Sequence, residues 1–226
     1  MKTVAIITAG GSGKRMKSSK KKQFLKLAGR SILSHTIEKF VTTKEVDVII
    51  ISLPAAEYEE MKLSLESSFP EANLLFAKGG EKRQNSVFNA LQKCPSNTDF
   101  VMIHDGVRPF VSREIIIDLL KAAQKHKAVI PVAKVKNTIK QVKSGRVLRT
   151  IPRDNLMKAL TPQVFDYQLI FNCTKTALEN KVEFTDDSSI MEYYGYPVHV
   201  LEVGSENFKI TDQFDYEIAK YLIEKR

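Results

Sequence analysis

Thr3-Val4-Ala5-Ile6-Ile7-Thr8, followed by Ala9-Gly10-Gly11-Ser12-Gly13-Lys14-Arg15, decides the architecture. The first six residues are mostly apolar and rich in β-branched side chains. They predict a strand covered on both faces, which the glycines then end in an open loop. Glycine lets a backbone come close to a ligand and turn its amides toward it, which suits a phosphate. Two phosphate motifs fail on this loop. A P-loop would need glycine at Thr8 and a hydroxyl at Arg15. A dinucleotide fingerprint would need glycine at Met16, which also excludes a nicotinamide-dependent dehydrogenase of that kind.

Working outward, further apolar runs at Val46–Leu53, Phe100–Ile103, Ala128–Val132 and Val198–Val203 read as strands. Helical patterns lie between and after them, at Ile32–Phe40, Ala55–Ser68, Ser86–Gln92, Ser112–Lys125, Asp166–Leu178 and Asp212–Glu224. This alternation predicts an α/β fold with a mostly parallel sheet and helices on both faces. Ligands of such sheets sit at the carboxyl ends of the strands, so the loops after Thr8, Phe76 and Ile103 should share one edge. Lys134–Ile151 breaks the alternation. Its two arms alternate apolar and polar residues around Ser144-Gly145, a hairpin signal. A lone two-stranded ribbon is marginal in water, so this arm should dock on the body or on a second subunit. One domain over residues 1–226, with the arm inserted, is expected.

The 226 residues are 43% apolar and 27% charged, near globular averages, which excludes a disordered chain. Thirty-five Lys and Arg against 26 Asp and Glu give +9. The first acidic residue is Glu38, and nine cations precede it, so the rest of the chain is neutral. The excess is therefore local, beside the glycine loop. It reads either as a solvated lysine loop or as a site for a compact polyanion such as a triphosphate. A nucleic-acid-binding protein is the alternative from another class, but no aromatic-rich stretch accompanies the lysines. No apolar run approaches the length of a membrane span, and the amino-terminal apolar stretch is too short for a signal peptide. Cys94 and Cys173 read as reduced thiols, which gives a cytoplasmic expectation. His35, His104, His126 and His199 have no partners at metal-ligand spacing, so no metal-ligating residues are expected, and His104 reads as structural. Gly79-Gly80 opens a second loop in which Ser86 would cap the next helix. Asp186-Asp187 reads as a helix cap or as metal ligands.

These segments together resemble a known family. Gly10-Gly11-Ser12-Gly13-Lys14-Arg15-Met16, Lys22-Gln23-Phe24, Gly79-Gly80 with Arg83-Gln84-Asn85-Ser86, His104-Asp105 with Arg108-Pro109, Thr161-Pro162-Gln163, Thr185-Asp186-Asp187-Ser188 and Asn207 with Lys209-Ile210-Thr211 occur in that order. The chain resembles the 2-C-methyl-D-erythritol 4-phosphate cytidylyltransferases over nearly its whole length. The resemblance implies a Rossmann-like nucleotidyltransferase fold whose β-arm interlocks two subunits in a homodimer. It implies transfer of CMP from CTP to a sugar-alcohol phosphate with release of pyrophosphate, and Mg²⁺ carried mainly on the CTP phosphates. Carried over by motif, Arg15, Lys22, Arg153 and Lys209 are the catalytic cations, with Arg153 reaching the neighbouring subunit's site. Ala9, Gly10, Gly11, Gly13, Gly80 and Ser86 would bind CTP. Asp105, Arg108, Thr138, Thr161 and Thr185 would meet the second substrate. Three positions depart from the pattern. Lys20-Lys21-Lys22 stands where a proline usually precedes the lysine, which leaves Lys21 open as a substitute. Asn137 replaces an aspartate, and Thr8 an alanine. Ribitol 5-phosphate cytidylyltransferase shares the same loop and cations and is the nearest alternative.

Overall fold

The structure, a computed structural model, describes residues 1–10 and 22–225. Strand β1 (Thr3–Thr8) runs through the middle of an eight-stranded sheet, and Val4 to Ile7 are fully buried. After a small hairpin, β2 (Lys26–Leu27) and β3 (Arg30–Ser31), the Ser31 side chain accepts the Ser34 N–H and starts α1 (Ile32–Val41). Then come β4 (Val48–Leu53), α2 (Tyr58–Ser68), β5 (Leu74–Lys78), α3 (Arg83–Leu91) and β6 (Phe100–Asp105). Strands β4 and β6 flank β1 in parallel, and β5 pairs in parallel with β4. The 55–68 helical pattern divides into a 3-10 turn, Ala55–Glu57, and α2.

Successive residues of a strand point to opposite faces, and β1 feeds two cores. Val4 and Ile6 pack with Val48, Ile50, Val101 and Ile103 on one face. Ala5 and Ile7 pack with Ile49, Ile51 and Met102 on the other. Each isoleucine buried in this way is worth about 1.5–3 kcal/mol relative to exposure. Every position of the strand is therefore committed, and Ala9 just past it is tied to the sheet by its N–H, which donates to the Ser52 carbonyl at 2.9 Å.

Beyond β6, α4 (Arg113–His126) is capped by Ser112 and leads into β7 (Ala128–Lys134). The arm follows as β8 (Ile139–Lys143) and β9 (Arg146–Ile151), a separate two-stranded sheet. Ser144 and Gly145 at its tip have φ of 49° and 75°. Two positive values in a two-residue turn match the right-handed twist of a hairpin. Val142, Val147 and Leu148 on the arm are all more than half exposed. Two short strands that the sequence pattern missed come next, β10 (Met157–Ala159) and β11 (Gln163–Asp166), and they pair antiparallel to β7, with β11 also antiparallel to β6. Helices α5 (Tyr167–Glu179) and α6 (Asp187–Tyr193) precede β12 (His199–Glu202), which is parallel to β7, and α7 (Gln213–Glu224) ends the fold.

One local expectation is corrected. Helix α3 begins at Arg83, so Ser86 lies inside its first turn and is not its cap. Lys82 starts the helix, and its N–H is accepted by the Asn85 side chain at 3.3 Å. The Ser86 hydroxyl instead accepts the Gly80 N–H at 3.0 Å, which folds the glycine turn back onto the helix.

Candidate active site

The carboxyl ends of β1, β5 and β6 open onto one cavity of about 350 Å³, the edge that the loop positions predict. Ala9 and Gly10, just past β1, form one wall, with Lys22 and Gln23 beside them. Gly80 and Ser86 form another. The two walls approach closely, since a Cβ on Gly10 would stand 3.3 Å from Ser86 Oγ. A Cβ on Gly80 would fall 2.3 Å from the Asn85 Cβ, so the turn admits no side chain there. The described lining carries four cations, Lys22, Lys82, Arg83 and Lys209, against two carboxylates, Glu81 and Asp105. That balance favours an anionic guest.

Asp105, the last residue of β6, is the hub. Lys209 Nζ lies 3.1 Å from its Oδ2, Arg108 Nε donates to the same oxygen at 3.0 Å, and Arg83 Nε stands 3.7 Å from Oδ1. Burial alone would raise its pKa, but the charges of Lys209, Arg83 and Arg108 together hold it well below the usual carboxylate range. Asp105 is therefore a fixed anion, an acceptor for hydroxyls and a poor proton acceptor. Beneath it, the Asp105 N–H donates to Thr161 Oγ1 at 3.2 Å, and Thr161 Oγ1 lies 3.0 Å from His104 Nδ1. His104 Nε2 faces the Arg108 carbonyl at 3.1 Å, so this nitrogen carries the hydrogen and Nδ1 accepts the threonine hydroxyl. Burial pushes His104 down to about 4, which keeps the ring neutral, as a structural histidine should be.

Arg83, in the Arg83-Gln84-Asn85-Ser86 motif, has a role that the motif alone does not indicate. It forks onto Asp187 with bonds of 2.9 and 2.6 Å, tying α3 to the first turn of α6 across 104 residues. Burial would lower its pKa, and the charge and hydrogen bonds of Asp187, with Asp105 and Asp186 behind, more than offset that. Asp186 is the α6 cap, accepting from Ser189 N–H, Ser188 Oγ and Gln163 Nε2. The pair thus divides into a cap and an ion-pair partner, and among the described residues no group of three or more metal-ligating side chains occurs.

The cavity brings together Ala9, Gly10, Lys22, Gly80, Ser86, Asp105 and Lys209 from the sequence reading. Arg108 and Thr161, expected against the substrate, stand behind Asp105 and off the described wall. Arg108 also donates to the Asn207 carbonyl at 2.9 Å, and Asn207 Nδ2 to the Thr161 carbonyl at 2.6 Å. Thr138 and Thr185 are exposed and off the wall. So is Arg153, which donates to the Lys136 carbonyl at the base of the arm. Gly11, Gly13 and Arg15 lie outside the described residues, as does Lys21. Thr8, Gln23, Glu81, Lys82, Arg83 and Val107, none of them assigned a binding role by the sequence, also line the cavity. No helix among the described residues is long and apolar enough to cross a membrane.

The IspD family model, 2-C-methyl-D-erythritol 4-phosphate cytidylyltransferase, matches residues 3–225. The 2-C-methyl-D-erythritol 4-phosphate cytidylyltransferase of Clostridioides difficile is 40% identical over 223 residues, covering 98% of this chain and 94% of that one. The protein of the same name from Halalkalibacterium halodurans is 38% identical over 227 residues, covering 100% and 99%. Among solved structures, the 4-diphosphocytidyl-2C-methyl-D-erythritol synthase of Anaerococcus prevotii superposes with a TM-score of 0.87 at 32% identity, covering 99% of this chain and 96% of that one. With the glycine wall, the cationic cavity and matches that span essentially every residue, the chain belongs to the 2-C-methyl-D-erythritol 4-phosphate cytidylyltransferase family.

Proposed function

We propose that this protein transfers CMP from CTP to 2-C-methyl-D-erythritol 4-phosphate and releases pyrophosphate. The observation that carries the reading is the meeting, in one cavity, of glycine-loop backbone, Lys22, Lys209 and the ion-paired Asp105. A phosphate oxygen of the second substrate attacks the α-phosphorus of CTP in line, and the bond from that phosphorus to the oxygen bridging the α- and β-phosphates breaks. The bridging oxygen leaves with pyrophosphate. Both reactants are anions, so the protein must first suppress their repulsion and then stabilise charge on the non-bridging and leaving oxygens. A phosphate nucleophile is already ionised near neutral pH. No proton-abstracting group is needed, and neither the buried neutral His104 nor the strongly ion-paired Asp105 is suited to be one.

In this reading Ala9 and Gly10, with Gly11 and Gly13, present backbone to the triphosphate, and Gly80 and Ser86 meet the cytosine or ribose. Arg15 and Lys22 stabilise the transition state, each worth roughly 3–4 kcal/mol if it acts as a preorganised donor. Lys209 holds the attacking phosphate and Asp105 accepts a polyol hydroxyl. Arg153 comes from a second copy through the arm, whose exposed Val142, Val147 and Leu148 are suited to a homodimer contact. Thr138 at the arm base would enter with it, and Thr185 would close on the same substrate. Mg²⁺ would be carried by the triphosphate rather than by a carboxylate cage, since Asp105 is engaged by three cations and Glu81 is the other carboxylate on the described wall. When bound, the ion neutralises phosphate charge. The free thiols Cys94 and Cys173 favour a reducing compartment, the cytoplasm. The test is pyrophosphate release from CTP with methylerythritol phosphate and ribitol 5-phosphate in parallel. The expected result is faster release with the former, and equal or faster release with ribitol phosphate overturns the assignment.

A further inference from the structure

The buried amide beside Lys22 has a task of its own. Gln23 is 1% exposed, yet it reaches the cavity wall next to Lys22. Its Nε2 donates to the Ala9 carbonyl at 2.5 Å. The Ala9 N–H in turn donates to the Ser52 carbonyl at 2.9 Å, so Ala9 is already fixed to the end of the sheet. Lys22 itself stands in a 3-10 turn, Lys22–Phe24, closed by the Leu25 N–H on the Lys22 carbonyl at 3.1 Å. Phe24 packs on the sheet core and Leu27 is fully buried. A buried amide at position 23 is specified by the carbonyl it meets, which lies past the last paired residue of β1.

We infer that Gln23 is a positioning residue for catalysis: its amide ties Lys22 to Ala9, and so holds the lysine in register with the backbone wall that takes the triphosphate. The inference rests on the cytidylyltransferase reading above. Lysine on a flexible stem is a point charge, so its contribution depends on where its base is held. Misplacement lowers turnover more than binding, because charge builds on the phosphates during reaction.

Two variants test it. Gln23→Met keeps the volume and removes the donor. It should lower kcat about tenfold and leave the KM for CTP within about threefold. In a Lys22→Ala background the same change should alter kcat less than about twofold, since a residue that acts through Lys22 has nothing left to act on. Gln23→Glu supplies a donor only when protonated. Its activity relative to the parent should therefore rise several-fold from pH 8 to pH 6. An undiminished kcat, an equal loss in the Lys22→Ala background, or a flat Glu-to-parent ratio each overturns the role. If Gln23→Met fails to fold, the pH ratio of the Glu variant decides. A parent enzyme that releases no pyrophosphate from CTP would instead sink the functional reading itself.

Discussion

The edge of the sheet around Asp105 and the arm at Ile139–Ile151 are built on opposite terms. Around Asp105, His104, Thr161, Arg108, Asn207 and Lys209 are tied to one another within a single chain, and most are buried. Among the described residues, the hydrogen bonds of the arm run along its own ladder and between a few of its side chains, and Val142, Val147 and Leu148 are exposed. One region is finished by its own sequence. The other carries apolar surface that folding of one chain does not cover, and Arg153, a cation expected at the site, stands at its base. The chemistry should divide in the same way, into a part complete in each chain and a part that a second chain supplies.

The largest effects should come from the two cations proposed to meet CTP, which need no second chain in this reading. Arg15→Ala and Lys22→Ala should each cut turnover by roughly 10²–10³-fold with the KM for CTP changed only a few-fold. Steady-state rates against CTP check this; a loss confined to binding would show that these cations serve the ground state.

Much of the self-contained region was legible locally. The β-branched run of β1 and the glycines behind it locate the cavity, because a covered strand and a glycine-rich segment each leave a composition mark. Ser144-Gly145 marked the arm because a two-residue hairpin turn demands positive φ. The hub was not legible. Arg83 meets Asp187 across 104 residues and Asn207 meets Thr161 across 46, and such pairings leave no periodic trace. Strands β10 and β11 have three and four residues, too few for an alternation signal. The start of α3 was obscured because Lys82-Arg83-Gln84 is polar, and its first turn is set by a folded-back glycine loop.

The network beneath Asp105 makes a pH prediction next in size. His104 is held down to about 4, whereas an unfolded histidine titrates near 6.5. Between those values the unfolded chain binds a proton that the native chain refuses, so stability rises with pH across that window. Acidification from about pH 6.5 to 4 should cost about 3 kcal/mol at this residue. The lowered pKa of Asp105 acts only further down, below about pH 4. Urea midpoints of the parent and His104→Gln across this range check it. The variant's curve should be flatter between pH 4 and 6.5, and parallel curves would mean the ring charges freely in the fold.

The arm is tested by mixing. Arg153→Ala and Lys209→Ala should each be nearly inactive alone. If Arg153 serves the neighbour's cavity, random exchange makes half the dimers mixed, and each mixed dimer has one intact site. About a quarter of the parent activity should then return. No recovery, with exchange confirmed by mass, would place both cations in one chain and remove the distinction between the two regions.

The smallest expected effect decides which lysine belongs to the finished region. Lys21 and Lys22 are adjacent in a run of three lysines. Lys22 lies on the cavity wall, and its neighbour Gln23 is buried against Ala9, so the anchor is adjacent to Lys22 and one residue further from Lys21. Removing a cation that is not held at the reacting phosphates costs only screened, long-range attraction. Lys21→Ala should therefore lower kcat less than about twofold at physiological ionic strength and raise the KM for CTP slightly more at low salt. A collapse of kcat in Lys21→Ala, with Lys22→Ala mild, would move the reacting cation one residue upstream, and the Gln23 anchor would then be fixing the wrong lysine.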